Sequence, residues 1–140
     1  MRHASRCLSL VLLVLLCSGC GFLPHTDTII DSAFTVDAIS SKDYRFEVPP
    51  GATDIRVDGH FVATGGTGND IQVLVLGEDD FVNWQNGHPA RALYDSGKVT
   101  QSTITATLPG PGAYYLVFSN TFSLLTPKAV QARASVRYKR

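Results

Sequence analysis

GAYYLVFSNTFSLLTPKAVQARASVRY, residues 112–138, reads as two strands joined by a structured loop, and its two halves carry different periods. Tyr114 to Phe118 (YYLVF) is apolar on both faces, too short for an independent helix, and rich in aromatic and β-branched residues. Such a run between Gly112 and Asn120 predicts a strand covered on both sides. From Val130 the pattern alternates. Val130, Ala132, Ala134, Val136 and Tyr138 interleave with Gln131, Arg133, Ser135, Arg137 and Lys139. A period of two sends one set into a core and the other into water, whereas a helix would mix them around its circumference.

Short segments of the same kind precede this stretch. Ile30, Ser32, Phe34, Val36 and Ala38 mark a first strand, followed by a turn at Ser40–Asp43. Tyr44, Phe46 and Val48 share one face of a second strand, against Arg45 and Glu47. Pro49-Pro50-Gly51 ends it, since proline has no N–H for a ladder and glycine permits a tight turn. Asp54 to Thr64 is longer, with Ile55, Val57, Gly59, Phe61 and Ala63 inward. The turn Gly65–Asn69 leads into Asp70–Leu76 (DIQVLVL), which is nearly all apolar and is expected to be central. Glu78 to Pro89 (EDDFVNWQNGHP) breaks the pattern and is expected to be a loop or a single helical turn. Ala92–Ser96 suits a weak edge strand. Ser102, Ile104, Ala106 and Leu108, alternating with threonines, suit a half-exposed one. With about eight short strands, turn signals between them and no long helical period after residue 20, the expected fold is all-β, a single antiparallel β-sandwich of the jelly-roll type.

The N-terminus is a targeting segment. Arg2 and Arg6 form a positive n-region, Leu8–Leu16 an apolar h-region, and Ser18-Gly19 a small-residue cleavage site. The apolar run is shorter than the about 20 residues of a membrane span. Cys20, directly after Gly19, resembles the modified cysteine of a bacterial lipobox, with Cys17 where leucine is usual. That resemblance implies cleavage between Gly19 and Cys20 and acylation of the Cys20 thiol. Gly21 in place of aspartate implies sorting to the outer membrane. Two or three acyl chains would anchor the protein stably. The competing reading is an ordinary secretory signal followed by a free cysteine. The expected organisation is a signal peptide over 1–19, a lipidated tether over 20–27 and one domain over 28–140.

The 12 basic and 12 acidic residues give no concentrated basic patch of the kind nucleic acid requires. No cysteine follows Cys20, so the domain is expected to be held by its core alone. Nearly all acidic residues precede Phe81, and most basic ones follow Pro89. If the first and last strands pair, Asp27 and Asp31 would meet Arg133, Arg137 and Lys139 across the ladder. Independent solvation of the two faces is the alternative.

The pattern Gly112-x-Tyr114-x-x-x-Phe118-Ser119-Asn120-x-Phe122-Ser123, then Lys128-x-Val130, resembles the end of a GOLD domain. That domain is the β-sandwich module of p24-type cargo adaptors of the secretory pathway. Phe61-x-Ala63-x-Gly65-Gly66 and Asp70-Ile71-x-Val73-x-Val75 are similar to its middle strands. The likeness spans residues 44–138 and implies the fold and a protein-interaction role. It does not imply vesicle cargo sorting. The family carries a paired cysteine where this chain has Val117, and it continues into a coiled coil and a membrane helix beyond the stretch that matches here.

Catalytic signals are absent from the sequence. There is no Gly-x-Ser-x-Gly elbow, and nothing sets a base beside a nucleophile. Asp70 with Glu78, Asp79 and Asp80 offers oxygens for calcium, though not at EF-hand spacing, and an exposed acidic turn is the simpler reading. His60 and His88 stand alone, without the cysteine pair of a zinc site. No metal or cofactor is expected beyond the covalent lipid on Cys20. Phe81, Trp84, Asn86 and His88 form the candidate recognition loop, for an envelope protein or a sugar ring. The alternative is that Phe81 and Trp84 fold back to cap one end of the sandwich, with Tyr94 and Tyr115 as partners. Asn120 is expected to bond local backbone rather than a ligand. The expected function is thus a non-catalytic, membrane-anchored interaction module, an accessory subunit of an envelope assembly. Glycan or cell-wall binding through the Trp84 loop is the alternative.

Overall fold

The computed structural model describes residues 23–65 and 68–140. Eight strands and one short helix follow in order: β1 Pro24–Val36, β2 Ser41–Val48, β3 Thr53–Thr64, β4 Ile71–Gly77, α1 Glu78–Gln85, β5 Tyr94–Val99, β6 Gln101–Thr107, β7 Gly112–Ser119 and β8 Lys128–Lys139. They form two antiparallel four-stranded sheets, β1-β8-β3-β6 and β2-β7-β4-β5. The chain is an all-β sandwich. Among the described residues no helix is long and apolar enough to cross a membrane.

The period of two in β8 is obeyed along its whole length, with Val130, Ala132, Ala134, Val136 and Tyr138 buried. From β3 the inward residues Ile55, Val57, Phe61 and Ala63 join them. The facing sheet contributes Ile71, Val73 and Val75 from β4 and Tyr114, Leu116 and Phe118 from β7. Phe118 is the hub of an aromatic cluster. Its ring meets Phe34, Tyr44 and Phe61 edge to face at 5.0, 6.0 and 6.3 Å, a geometry that suits the ring quadrupoles. Gly59 lets β3 approach β8. A Cβ there would run into the Arg133 carbonyl oxygen and lie 2.8 Å from the Ala134 Cα.

β4 and β7 are doubly covered, as their unbroken apolar runs predict. Leu74, Leu76 and Val117 face away from the main core and pack under α1. Glu78–Gln85, expected as a loop or single turn, is in fact two turns of helix. Its N-cap, Gly77, offers no side-chain bond, but Glu78, Asp79 and Asp80 place negative charge on the positive end of the helix dipole.

The first strand begins at Pro24, within the segment read as tether. Pro24–Thr28 pair with β8 from Lys139 back to Ser135, and Leu23 exchanges both backbone bonds with Arg140 at 3.0 and 3.1 Å. Every side chain from Pro24 to Thr28 is exposed, so no alternation marks these residues as strand. The expected cross-strand ion pairs form in part. Arg133 reaches Asp31 at 3.2 Å. Asp27 instead accepts the Tyr138 hydroxyl at 2.8 Å, while Arg137 and Lys139 turn to Asp58 and Asp54 of β3.

Strand directions sort the loops into two ends. One end carries the chain start at Leu23, the turns 49–52 and 108–111, and Arg140. The other carries the connections 37–40 and 120–127 and the strand ends at Thr64 and Ile71. The first is called the base below and the second the tip.

Candidate functional site

Phe81 and Trp84 sit three residues apart on α1, so both face the sheet. Phe81 is buried. Its ring stacks on Tyr115 at 3.8 Å and 8° between planes, and Trp84 follows behind it at 6.3 Å. Trp84 is half-buried against the same cluster. Both rings therefore fold back onto the protein, with Tyr115 as partner, but on the outer face of the β2-β7-β4-β5 sheet rather than over an end of the sandwich. Tyr94 lies elsewhere, against the main core, and donates to the Thr103 carbonyl at 2.8 Å. Asn86 ends the helix, with its Nδ2 donating to the Val82 carbonyl at 2.8 Å. The His88 backbone N–H bonds the Asn83 carbonyl at 2.9 Å, leaving its side chain exposed. Asp80 accepts the Arg91 N–H at 2.8 Å and closes the return path to β5. The four residues thus divide. Phe81 holds the helix down, and Trp84, Asn86 and His88 line its outer end.

The tip holds a second candidate. Leu124 and Leu125 are 74% and 89% exposed, and Ile39 on the neighbouring connection is 64% exposed. Ile39 has φ +56°, a left-handed conformation that a β-branched residue adopts only under constraint. The constraint is visible. The Ile39 N–H bonds the Ser123 carbonyl at 2.9 Å, and the Asn120 N–H bonds the Ser40 carbonyl at 2.8 Å. Asn120 is fully buried, and its Nδ2 donates to the carbonyls of Val36, Asp37 and Thr126 at 3.3, 3.1 and 2.9 Å. Ser123 Oγ adds a bond to the Thr126 carbonyl at 3.0 Å. Asn120 bonds backbone, as expected, but only the Thr126 carbonyl is local; those of Val36 and Asp37 lie 84 and 83 residues away in the chain. The two loops form one braced unit that holds three large aliphatic side chains in water. Phe122 lies beside them, its ring under Lys98 Nζ at 4.5 Å. The sequence marks this segment as ambiguous, and only the bracing across loops separates it from ordinary turn residues.

Beneath the tip lies Lys128, 1% exposed, whose Nζ meets Asp70 Oδ1 at 3.4 Å. The calcium grouping considered above does not assemble. β4 separates Asp70 from Glu78–Asp80, and a seven-residue strand spans about 20 Å. Among the described residues no three His, Cys, Asp or Glu side chains converge. His60 is on the outer face of β3 and His88 follows α1 on the other sheet. Gly19 and Cys20 lie outside the described residues.

No protein-family model matches the chain, and no curated protein matches it in sequence.

Proposed function

We propose that this chain is a bacterial lipoprotein, acylated on Cys20 and held at the outer membrane, whose GOLD-like sandwich binds a protein partner of the envelope without catalysis. The exposed, braced apolar tip carries this reading. Ile39, Leu124 and Leu125 cost the protein solvation and backbone strain without adding to its core. Preorganised aliphatic side chains of this kind lose little entropy when buried by a partner. The tip is also at the end away from Leu23, so an anchor at Cys20 leaves it free to meet that partner. Glycan binding through Trp84 is the second reading, favoured by Asn86 and His88 beside a partly exposed indole.

The test is crosslinking capture from envelope extract with residues 20–140 displayed through position 20. Three forms run in parallel: the native sequence, Ile39→Ser/Leu124→Ser/Leu125→Ser, and Trp84→Ala/His88→Ala. One dominant protein, lost in the first variant and kept in the second, supports the tip. Loss in the second variant only, with polysaccharide in place of protein, supports the glycan reading. Capture unchanged in both variants overturns both sites.

A further inference from the structure

The register of β3 and β8 puts two arginines face to face. Arg56 lies directly opposite Arg137, with Thr107 of β6 on its other side, and Lys139 follows two residues along the same face. Like charges opposite one another in a ladder repel. Three flanking carboxylates neutralise part of the cluster, with Asp58 taking Arg137 at 2.5 Å, Asp54 taking Lys139 at 2.6 Å and Asp27 accepting the Tyr138 hydroxyl between them at 2.8 Å. Among the described residues the side chains of Arg56 and Arg140 make no ion pair within 4.0 Å and no hydrogen bond, although the Arg56 charge also acts on Asp54. Arg56, Arg137 and Lys139 line a cleft of about 540 Å³ with His25 and Tyr138. The opposite sheet differs in sign at this end, carrying Glu47, Glu78, Asp79 and Asp80 against Arg45 and Arg91. Of the cations nearer the tip, Lys42 and Lys98 lie over the rings of Phe34 and Phe122.

Position gives this corner its meaning. Leu23 is pinned by both its backbone bonds to Arg140, and only Gly21 and Phe22 separate it from Cys20. Three extended residues reach at most about 10 Å, close to one Debye length at physiological salt. Leu23 itself is 67% exposed.

We propose that the base corner of the β1-β8-β3-β6 sheet, made by Arg56, Arg137, Lys139 and Arg140 beside Leu23, docks on the anionic headgroups of the membrane that receives the Cys20 acyl chains. This rests on the acylation reading above. The occupant is a lipid phosphate surface. The Arg56 and Arg140 guanidinium groups match it in charge, the short tether keeps them within its field, and Leu23 enters the headgroup layer beside the anchor. The acidic side of the base is repelled, so the domain tilts onto this sheet.

Cys20 is the only cysteine from residue 20 onward, so residues 20–140, which contain both sheets and the whole described core, can be coupled through it to a maleimide-headgroup lipid. Amine-directed labelling is then read by mass spectrometry on phosphatidylcholine vesicles with and without phosphatidylglycerol. Lys139 labelling is expected to fall several-fold on the anionic vesicles and recover at high salt. Lys42 and Lys98 serve as internal controls and stay constant. Arg56→Ser/Arg140→Ser, checked for native melting, is expected to lose the protection, since each basic residue near an anionic surface contributes on the order of five-fold in affinity. Equal Lys139 labelling on both vesicles, protection matched at Lys42 and Lys98, or protection that survives in the variant each overturns the proposal. Intact mass of the full chain from a bacterial host tests acylation separately. An unacylated product with protected Lys139 would sink the anchor and leave the surface standing.

Discussion

Asn120→Asp is the most searching single change, because it alters one atom of the brace that holds the tip. The Asn120 amide is oriented by its surroundings: three carbonyl oxygens face Nδ2, and Oδ1 has no partner. Aspartate removes both N–H donors and turns a charged oxygen toward those carbonyls. Two protons serve three acceptors, so about two good bonds are lost. Each buried group left unpaired costs about 1–3 kcal/mol, which gives about 4 kcal/mol before the buried charge is counted. Asn120→Ala loses the same bonds but also removes the orphaned Oδ1, so about 2–3 kcal/mol is expected. For a domain of this size those losses correspond to falls in Tm of about 15–20 °C and about 10 °C. Aspartate also carries a pH signature. Desolvation raises its folded-state pKa above that of the unfolded chain, so the penalty is smallest below the unfolded pKa and grows as pH rises through the folded one. Urea and thermal unfolding of residues 20–140, run from acid to neutral pH on the native, Ala and Asp forms, measure all three effects. An Asp variant within about 1 kcal/mol of native at neutral pH, or a deficit that does not change with pH, would refute the donor role of Asn120.

Lys128→Met should be neutral or stabilising, because an apolar chain of similar volume replaces a buried ammonium, whereas Asp70→Asn should cost about 3 kcal/mol by leaving that ammonium unpaired; chemical denaturation separates the two. Gly59→Ala should lower stability by about 1–3 kcal/mol or more, since the new Cβ meets β8 backbone rather than a movable side chain. Tyr138 is held protonated above the ordinary tyrosine range, first by its hydrogen bond to the Asp27 carboxylate and then by burial. Stability from that pair is therefore complete below the unfolded tyrosine pKa and lost as pH rises through the folded one. An absorbance titration of phenolate should show two late tyrosines, Tyr138 and the partly buried Tyr44, of which only Tyr138 moves earlier in Asp27→Asn. Asp54 has the opposite sign. The Lys139 hydrogen bond, then its charge, holds Asp54 below the usual carboxylate value, so its contribution is lost as acid is added through the lowered pKa, and Lys139→Gln should remove that part of the acid sensitivity.

Period was the legible part of the fold. β8 and β3 alternate because one face of each is wet, while β4 and β7 do not because α1 covers their second face. The helix itself was hidden by its length. In eight residues only Phe81 and Trp84 mark an apolar face, and a signal of two residues is shared by many loops. Pro24–Thr28 were hidden for the opposite reason, since an edge segment exposed on both faces has no period. Lys128 was legible in principle. It continues the inward set of β8 two residues before Val130, and only the habit of reading lysine as exposed ends the strand too soon. The bracing of Ile39 by Ser123 joins residues 84 positions apart, and no local pattern records it.

Placing these features along the strands gives the sandwich a polarity. β1 runs 13 residues from the base to the tip, a span of about 40 Å at strand rise. Among the described residues, Arg56 and Arg140, which make no ion pair, lie with the paired Arg137 and Lys139 at the end nearest Cys20, and exposed Ile39, Leu124 and Leu125 lie at the end farthest from it. Each of those groups is poorly placed for an isolated domain, since unpaired arginines repel and bare leucines order water. Both costs are relieved if the base rests on anionic lipid while the tip is covered by protein. The two proposals therefore constrain one another. A domain tilted onto its β1-β8-β3-β6 sheet turns the outer face of α1 toward the aqueous side, and Trp84 with it. Fluorescence of Trp84 on anchored protein should then be quenched by a soluble quencher and spared by one carried in the bilayer. The reverse pattern would reject the tilt even if Lys139 were protected.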